Sequence, residues 1–95
     1  MIQAVVRQMR DAVVDTDVSI VAALNRRIEL IARLRRYGSS HGIETADPAG
    51  EAWGLRYLQA ANPGPLSGAR LEAIFAAIMA RVEDAAGEPE APDRA

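Results

Sequence analysis

The 95-residue sequence contains no cysteine, no lysine and a single histidine, and only 4% of its residues are aromatic. The absence of cysteine excludes disulfides, thiolate metal sites and cysteine nucleophiles. With His41 as the single imidazole, a serine–histidine relay and a histidine-rich metal site are disfavoured. No apolar run approaches the roughly 20 residues that a membrane span requires. The N-terminal stretch carries charges unlike a signal peptide, so we expect a cytoplasmic protein.

Charge is distributed unevenly along the chain. The formal net charge is −2 and the isoelectric point is about 5.3, which disfavours general nucleic-acid binding. All 11 basic residues are arginine, and seven of them lie within residues 1–36 beside four acids. A cation-rich first half on an acidic protein favours a small acidic ligand over DNA. A helical module that binds nucleic acid through residues 33–36 is therefore the weakest interpretation.

A long helix is predicted in the first part of the chain. Residues 2–37 contain no proline or glycine, and apolar side chains recur there in alternating steps of three and four. Gly38 is predicted to end the helix, and residues 39–42 are predicted to form a loop. About 35 residues make a rod of roughly 50 Å, which exceeds the width of a compact domain of this size. We therefore expect a second copy of the chain to cover the rod.

Two shorter helices are predicted after it. Asp47 is a good N-cap and Pro48 suits the first helical position, so the second helix is expected to run from there to about Ala61. Ser67 is expected to cap a third helix, which ends at Gly87.

The predicted fold class is all-α, with one very long, one short and one medium helix and no strand signal. These helices form one domain over residues 1–87, and residues 88–95 are expected to be a disordered acidic tail. Trp53 and Tyr57 lie four residues apart on the second helix, and we expect them to cover the flank of the long helix. The residues expected on the buried face of the third helix are Leu71, Ile74, Phe75, Ile78, Met79 and Val82.

Arg27 stands out because it occupies an apolar position of the long helix, between Ala23 and Leu30. A buried cation needs an anionic partner. Arg27 therefore pairs with an acid such as Glu51 or Glu29, extends to solvent along its apolar stem, or binds an anionic ligand. These alternatives stay open at the level of the sequence.

Four segments together resemble a known family. They are residues 25–30, 40–43, 47–51 and 61–67, and in order and spacing they resemble the all-helical class of chorismate mutases over about residues 5–86. The resemblance implies an intertwined homodimer whose long helices pack together. It also implies a site that converts chorismate, a small dicarboxylate, to prephenate by a Claisen rearrangement without a cofactor or metal. Relatives that act on aminodeoxychorismate or isochorismate share this scaffold, and the sequence does not choose among these substrates.

By the same resemblance, four charged residues match substrate-binding positions of the family. Arg10 matches an arginine that the partner subunit supplies to a substrate carboxylate, and Arg27 matches an arginine that grips a carboxylate within its own chain. Asp47 and Glu51 match acids at the start of the second helix, of which the glutamate receives a substrate hydroxyl. Arginine suits carboxylates because its planar fork binds them through two parallel hydrogen bonds.

Other positions of the resemblance lack the expected groups. Gly38 stands where the family has a lysine that contacts the ether oxygen, and Gly50 stands where it has an arginine. Arg35, one turn before Gly38, is the candidate replacement. The competing interpretation is that Arg33, Arg35 and Arg36 form a solvated basic helix end, which is favourable to the helix dipole. A polar pair expected late in the third helix falls on Val82 and Ala86.

Two functional expectations follow. Loss of one preorganised donor costs about 10²–10³ in rate, so the resemblance predicts a weak or altered chorismate mutase with Arg27, Glu51 and Arg35 as catalytic residues. The alternative is a non-catalytic dimer that acts as a regulatory or docking subunit of a shikimate-pathway synthase. If the site is merely incomplete, cations placed at Gly38 and Gly50 are expected to raise turnover by orders of magnitude.

Overall fold

The computed structural model describes residues 1–87 of the chain. Three helices make up this part: α1 (Ile2–Ser40), α2 (Pro48–Ala61) and α3 (Gly68–Gly87). No strand occurs in the described residues, so the all-α prediction of one long, one short and one medium helix is confirmed. The tail expected at residues 88–95 lies outside the described residues.

Local capping explains where α2 and α3 begin. The Asp47 side chain accepts a hydrogen bond from the Gly50 amide at 3.1 Å, and Pro48 occupies the first position of α2. The Ser67 hydroxyl accepts a hydrogen bond from the Arg70 amide at 3.2 Å. Each cap satisfies an amide that the first helical turn leaves without a partner, and both predicted caps are confirmed.

The predicted end of α1 at Gly38 was wrong by two residues. α1 continues through Gly38 to Ser40, and His41 is its C-cap. The chain turns at Gly42, whose φ of 65° lies in the left-handed region that favours glycine. Gly38 has a different role, because it is buried within the helix.

α3 is the helix on which the other two pack. It contacts both α1 and α2, whereas α1 and α2 make no direct backbone approach to each other within the described residues. Leu71 and Val82 are the buried apolar residues of this part of the chain, at 8% and 7% exposure. Phe75 is half-buried, and Ile74 is 47% exposed. The prediction that Ile74 is buried is therefore wrong for the single chain, because none of the elements within residues 1–87 covers that side of α3.

Trp53 and Tyr57 stack on each other, with their ring centroids 5.5 Å apart. They are 61% and 60% exposed. The expectation that Trp53 covers the flank of α1 was wrong, since α2 packs against α3. Tyr57 instead contributes to the wall of a cavity.

Much of α1 has no cover in the single chain. The accessible surface is 8002 Å², whereas a compact protein of this mass exposes about 5,300 Å². The radius of gyration is 17.6 Å and the longest dimension is 61 Å, against a radius of about 13 Å for a compact chain of this length. The exposed apolar residues in the first half of α1 include Val5, Val6, Met9, Val13, Val14, Val18, Ile20 and Val21. None of the helices in residues 1–87 is apolar over enough of its length to cross a bilayer.

Candidate active site

A cavity of about 540 Å³ lies where α1, α2 and α3 come together. Its volume falls in the range of about 300–1,000 Å³ that is typical of small-ligand sites. Arg27 from α1 and the acids Asp47 and Glu51 from the start of α2 are its charged lining residues. Apolar side chains from all three helices form most of the rest of the wall. The structure thus brings together three of the four residues that the resemblance assigns to substrate binding.

Arg27 is a cavity residue and not a surface one. It is half-buried and lines the same cavity as Ile31 and Phe75. Its Nη1 atom is buried, and the residue interacts with another group of the chain. Glu29, one of the acids considered as its partner, lies 3.8 Å from Arg26 on the exposed side of α1. Low polarity around a guanidinium strengthens its attraction for an anion.

Asp47 and Glu51 have different roles at the start of α2. Asp47 caps the helix through its side chain, and its carbonyl oxygen also accepts the Glu51 amide at 2.9 Å. Glu51 lies in the first turn, where the helix dipole stabilises a negative charge. Its side chain is exposed toward solvent and also lines the cavity. Glu51 is therefore able to accept a hydrogen bond from a bound ligand.

Arg35 lies next to the same site. A smaller cavity of about 340 Å³ is lined by Arg35, Glu44, Thr45 and Glu51, and Thr45 and Glu51 also line the larger cavity. Arg35 is half-buried and interacts with another group of the chain. Its burial sets it apart from the solvated helix end formed by the exposed residues Arg33 and Arg36.

Arg10 is not part of the site within one chain. It is exposed on the N-terminal part of α1, where it lines a separate surface pocket with Arg7 and Asp11. Arg10 and Arg27 are 17 positions apart in the sequence, which corresponds to about 25 Å along the helix. A role for Arg10 at this site therefore requires a second chain.

The two glycines that replace expected cations differ in their surroundings. A Cβ atom at Gly38 would overlap the Thr45 methyl group and would lie 2.8 Å from the Ile43 carbonyl oxygen. A Cβ atom at Gly50 would overlap the carboxylate of Asp47, which is the movable end of a side chain. A side chain at position 50 can therefore be accommodated if Asp47 gives up its N-cap hydrogen bond. At position 38 a side chain would collide with the backbone of Ile43.

The polar pair expected late in α3 is absent from the site. Val82 is buried in the small core, and Ala86 is half-buried. Neither residue lines the larger cavity. Position 82 therefore stabilises the packing of α3 and offers no hydrogen bond to a ligand.

Two residues of the site were missed by sequence reasoning. Thr45 lies in the walls of both cavities, and no motif or periodicity marks it. Gly54 lines the larger cavity, and a Cβ atom there would meet nothing within 4 Å. A signal for Gly54 was present, because glycines at positions 50 and 54 fall on one face of a helix.

Comparison with protein families identifies the scaffold. The family model of chorismate mutase type II matches residues 9–85, about four fifths of the chain. The chain belongs to the chorismate mutase type II family. The match spans most of all three helices and includes Arg10, Arg27 and Glu51. No curated protein and no solved structure gave a match.

Family membership confirms the resemblance drawn from the four sequence segments. It also accounts for the shape of the molecule, in which a long helix, a short helix and a medium helix surround one cavity. The substrate that this chorismate mutase family implies is chorismate. Chorismate carries two carboxylates and a hydroxyl, and the cavity offers a guanidinium and a glutamate to such groups.

Proposed function

We propose that the chain is a cytoplasmic chorismate mutase that acts as a homodimer and turns over slowly. The observation that carries this proposal is the cavity in which Arg27, Asp47 and Glu51 meet, in a chain of this family. The reaction is an isomerisation in which the ether C–O bond breaks and a C–C bond forms. No proton or group passes to the protein, so its task is to hold the reactive conformer and to stabilise developing charge.

Each charged residue of the cavity has a role in this proposal. Arg27 binds one substrate carboxylate through two parallel hydrogen bonds, and the apolar wall around it strengthens that attraction. Glu51 accepts the hydrogen bond of the substrate hydroxyl. Asp47 holds the first turn of α2 through its cap, which keeps Glu51 at the cavity edge.

Arg35 is the second positively charged residue that one chain supplies to the proposed site, after Arg27. It shares the smaller cavity with Glu51 and Thr45, and positions 38 and 50 carry no side chain that would replace it. The Arg35 side chain leaves α1 about one helical turn before position 38, so it enters the site from a different point than a side chain at position 38 would. Slow turnover follows because catalysis by preorganised charge is sensitive to the aim of each donor.

A second copy of the chain completes the site. The exposed apolar residues on the first half of α1 need cover, and a second α1 packed along them supplies it. Arg10 lies on that half of the helix and is exposed. From the partner subunit, Arg10 would reach the second carboxylate of a ligand that Arg27 holds by the first.

Loss of chorismate absorbance on incubation with the purified protein tests the proposal. Arg27→Ala should lower the rate by about 10²–10³ or more, because it removes a preorganised donor. Arg26→Ala is the matched control, since Arg26 lies on the exposed side of α1 with Glu29 and such surface pairs contribute little. The proposal fails if the wild-type chain consumes neither chorismate nor its amino or isomeric analogues at high protein concentration.

One observation favours a non-catalytic alternative. Position 38 has no room for a side chain. The chain therefore supplies no cationic side chain from this position at the end of α1. In this alternative, the chain forms a non-catalytic dimer that serves as a regulatory or docking subunit of a shikimate-pathway synthase. Binding of chorismate without its conversion, together with a change in the activity of the synthase on mixing, would support this alternative over catalysis.

A further inference from the structure

Gly38 joins the end of α1 to the loop that follows it, residues 41–46. Its carbonyl oxygen accepts hydrogen bonds from the His41 amide at 3.2 Å and from the Ile43 amide at 2.8 Å. These bonds satisfy a helix-end carbonyl and turn the loop back over the last turn of α1. Gly38 is buried beneath the loop as a result.

The Thr45 side chain occupies space that a side chain at position 38 would need. A Cβ atom at position 38 would overlap the Thr45 Cγ2 methyl and would come within 2.8 Å of the Ile43 carbonyl oxygen. A backbone oxygen cannot rotate aside as the end of a side chain does, so any larger residue displaces the loop. Thr45 forms part of the wall of both cavities. One wall of the site therefore depends on the absence of a side chain at position 38.

We propose that Gly38 is a positioning residue, which holds the 41–46 loop against α1 and thereby sets Thr45 into the walls of the two cavities. A side chain at position 38, lysine included, opens this loop instead of entering the site. The meaning of these walls for chorismate rests on the proposed function, whereas the contact between Gly38 and the loop does not.

Gly38→Ala and Gly68→Ala form a matched pair of variants in the full chain. Gly68 is also helical, but a Cβ atom there meets nothing within 4 Å, and the residue lines neither cavity. Gly68→Ala should leave the melting temperature unchanged or raise it by a few degrees. Gly38→Ala should lower it by about 5–10 °C, although alanine is the better helix former, because the overlap outweighs the propensity gain.

Hydrogen exchange at the Ile43 amide separates loop positioning from a general loss of stability. In Gly38→Ala this amide should exchange at least about tenfold faster. The Leu71 amide, which donates to the Ser67 carbonyl at the start of α3, should keep its rate. Thr45→Ser removes the overlapping methyl, so adding it to Gly38→Ala should recover part of the melting temperature and of the Ile43 protection. If Gly38→Ala alone does not fold, a folded double variant is the expected result.

The outcomes are distinct. The proposal is overturned if Gly38→Ala is as stable as Gly68→Ala with Ile43 still protected. Recovery by Thr45→Ser would assign part of the loss to the Thr45 methyl, and no recovery would assign it to the Ile43 carbonyl oxygen. Gly38→Ala should also weaken chorismate binding by about tenfold or more at a temperature where it is folded. If the wild-type chain binds no chorismate but the Ile43 result holds, the positioning role stands and the proposed function falls.

Discussion

At the residue scale, burial separates the arginines that line the two adjoining cavities from those at the exposed end of α1. Arg27 and Arg35 are half-buried and line adjoining cavities, whereas Arg33 and Arg36 are exposed. A guanidinium on an apolar wall attracts an anion more strongly than the same group in water. The number of arginines therefore says less about function than the positions of these two.

Gly50→Arg is expected to raise turnover, because position 50 faces the larger cavity and only the Asp47 carboxylate stands in the way. An added donor near the developing charge contributes about tenfold or more in rate. Displacing Asp47 from its cap costs about 1 kcal/mol of stability. The measurement is the chorismate consumption rate, compared with Gly50→Gln, which has a long side chain without the charge. Equal rates for the two variants would show that charge at position 50 does not act on the substrate.

The residues that were predictable from the sequence are those fixed by local structure. Asp47 and Ser67 were identified as caps because a cap bonds to an amide three residues away. Arg27 was identified because the helical period alone places it on the inner face. Thr45 was missed because its place depends on a loop that folds back onto Gly38, a contact that no period or local propensity encodes.

At the element scale, the helices differ in what stabilises them. α1 relies on length and on packing against α3, since helices gain most of their stability from tertiary contacts. α2 is only 14 residues long and includes two glycines, each of which costs about 1 kcal/mol relative to alanine. Its N-cap is thus a large share of its stability. The end of α1 was mispredicted because Gly38 keeps a helical backbone and the turn falls on Gly42.

Asp47→Ala should therefore destabilise the chain by about 1 kcal/mol, which corresponds to a melting temperature about 4–8 °C lower. Asp47→Asn should retain most of the stability, because asparagine caps helices about as well as aspartate. Thermal unfolding followed by circular dichroism measures both variants. A similar loss of melting temperature in Asp47→Asn and Asp47→Ala would show that the charge of Asp47, and not its cap hydrogen bond, stabilises α2.

At the scale of the whole molecule, the single chain exposes more surface than a compact protein of its mass does. Its surface is 8002 Å², about 2,700 Å² more than a compact protein of its mass exposes. Interfaces of obligate dimers commonly bury about 2,000 Å² or more in total. The excess surface of the chain is thus of the size that such an interface buries. The length of α1 predicts a partner chain from the sequence alone, and this stays a prediction.

Mixing two inactive variants tests whether the site is shared between subunits. Arg10→Ala and Arg27→Ala dimers should each be nearly inactive. After joint refolding, half of the dimers are mixed, and each mixed dimer has one site with both arginines, so about a quarter of the wild-type activity should return. Sedimentation should show a species of twice the 10.2 kDa chain mass. Activity that stays at the level of the separate variants would place Arg10 outside the site.

Calorimetric titration of chorismate is the most direct test of the central claim, that Arg27 holds a carboxylate of this ligand. The wild-type chain should bind one chorismate per subunit, and Arg27→Ala should weaken binding by about 30-fold or more. Arg26→Ala, which alters a surface pair, should bind as the wild type does. Wild-type protein that takes up no chorismate, or equal affinities for the wild type and Arg27→Ala, would contradict the account.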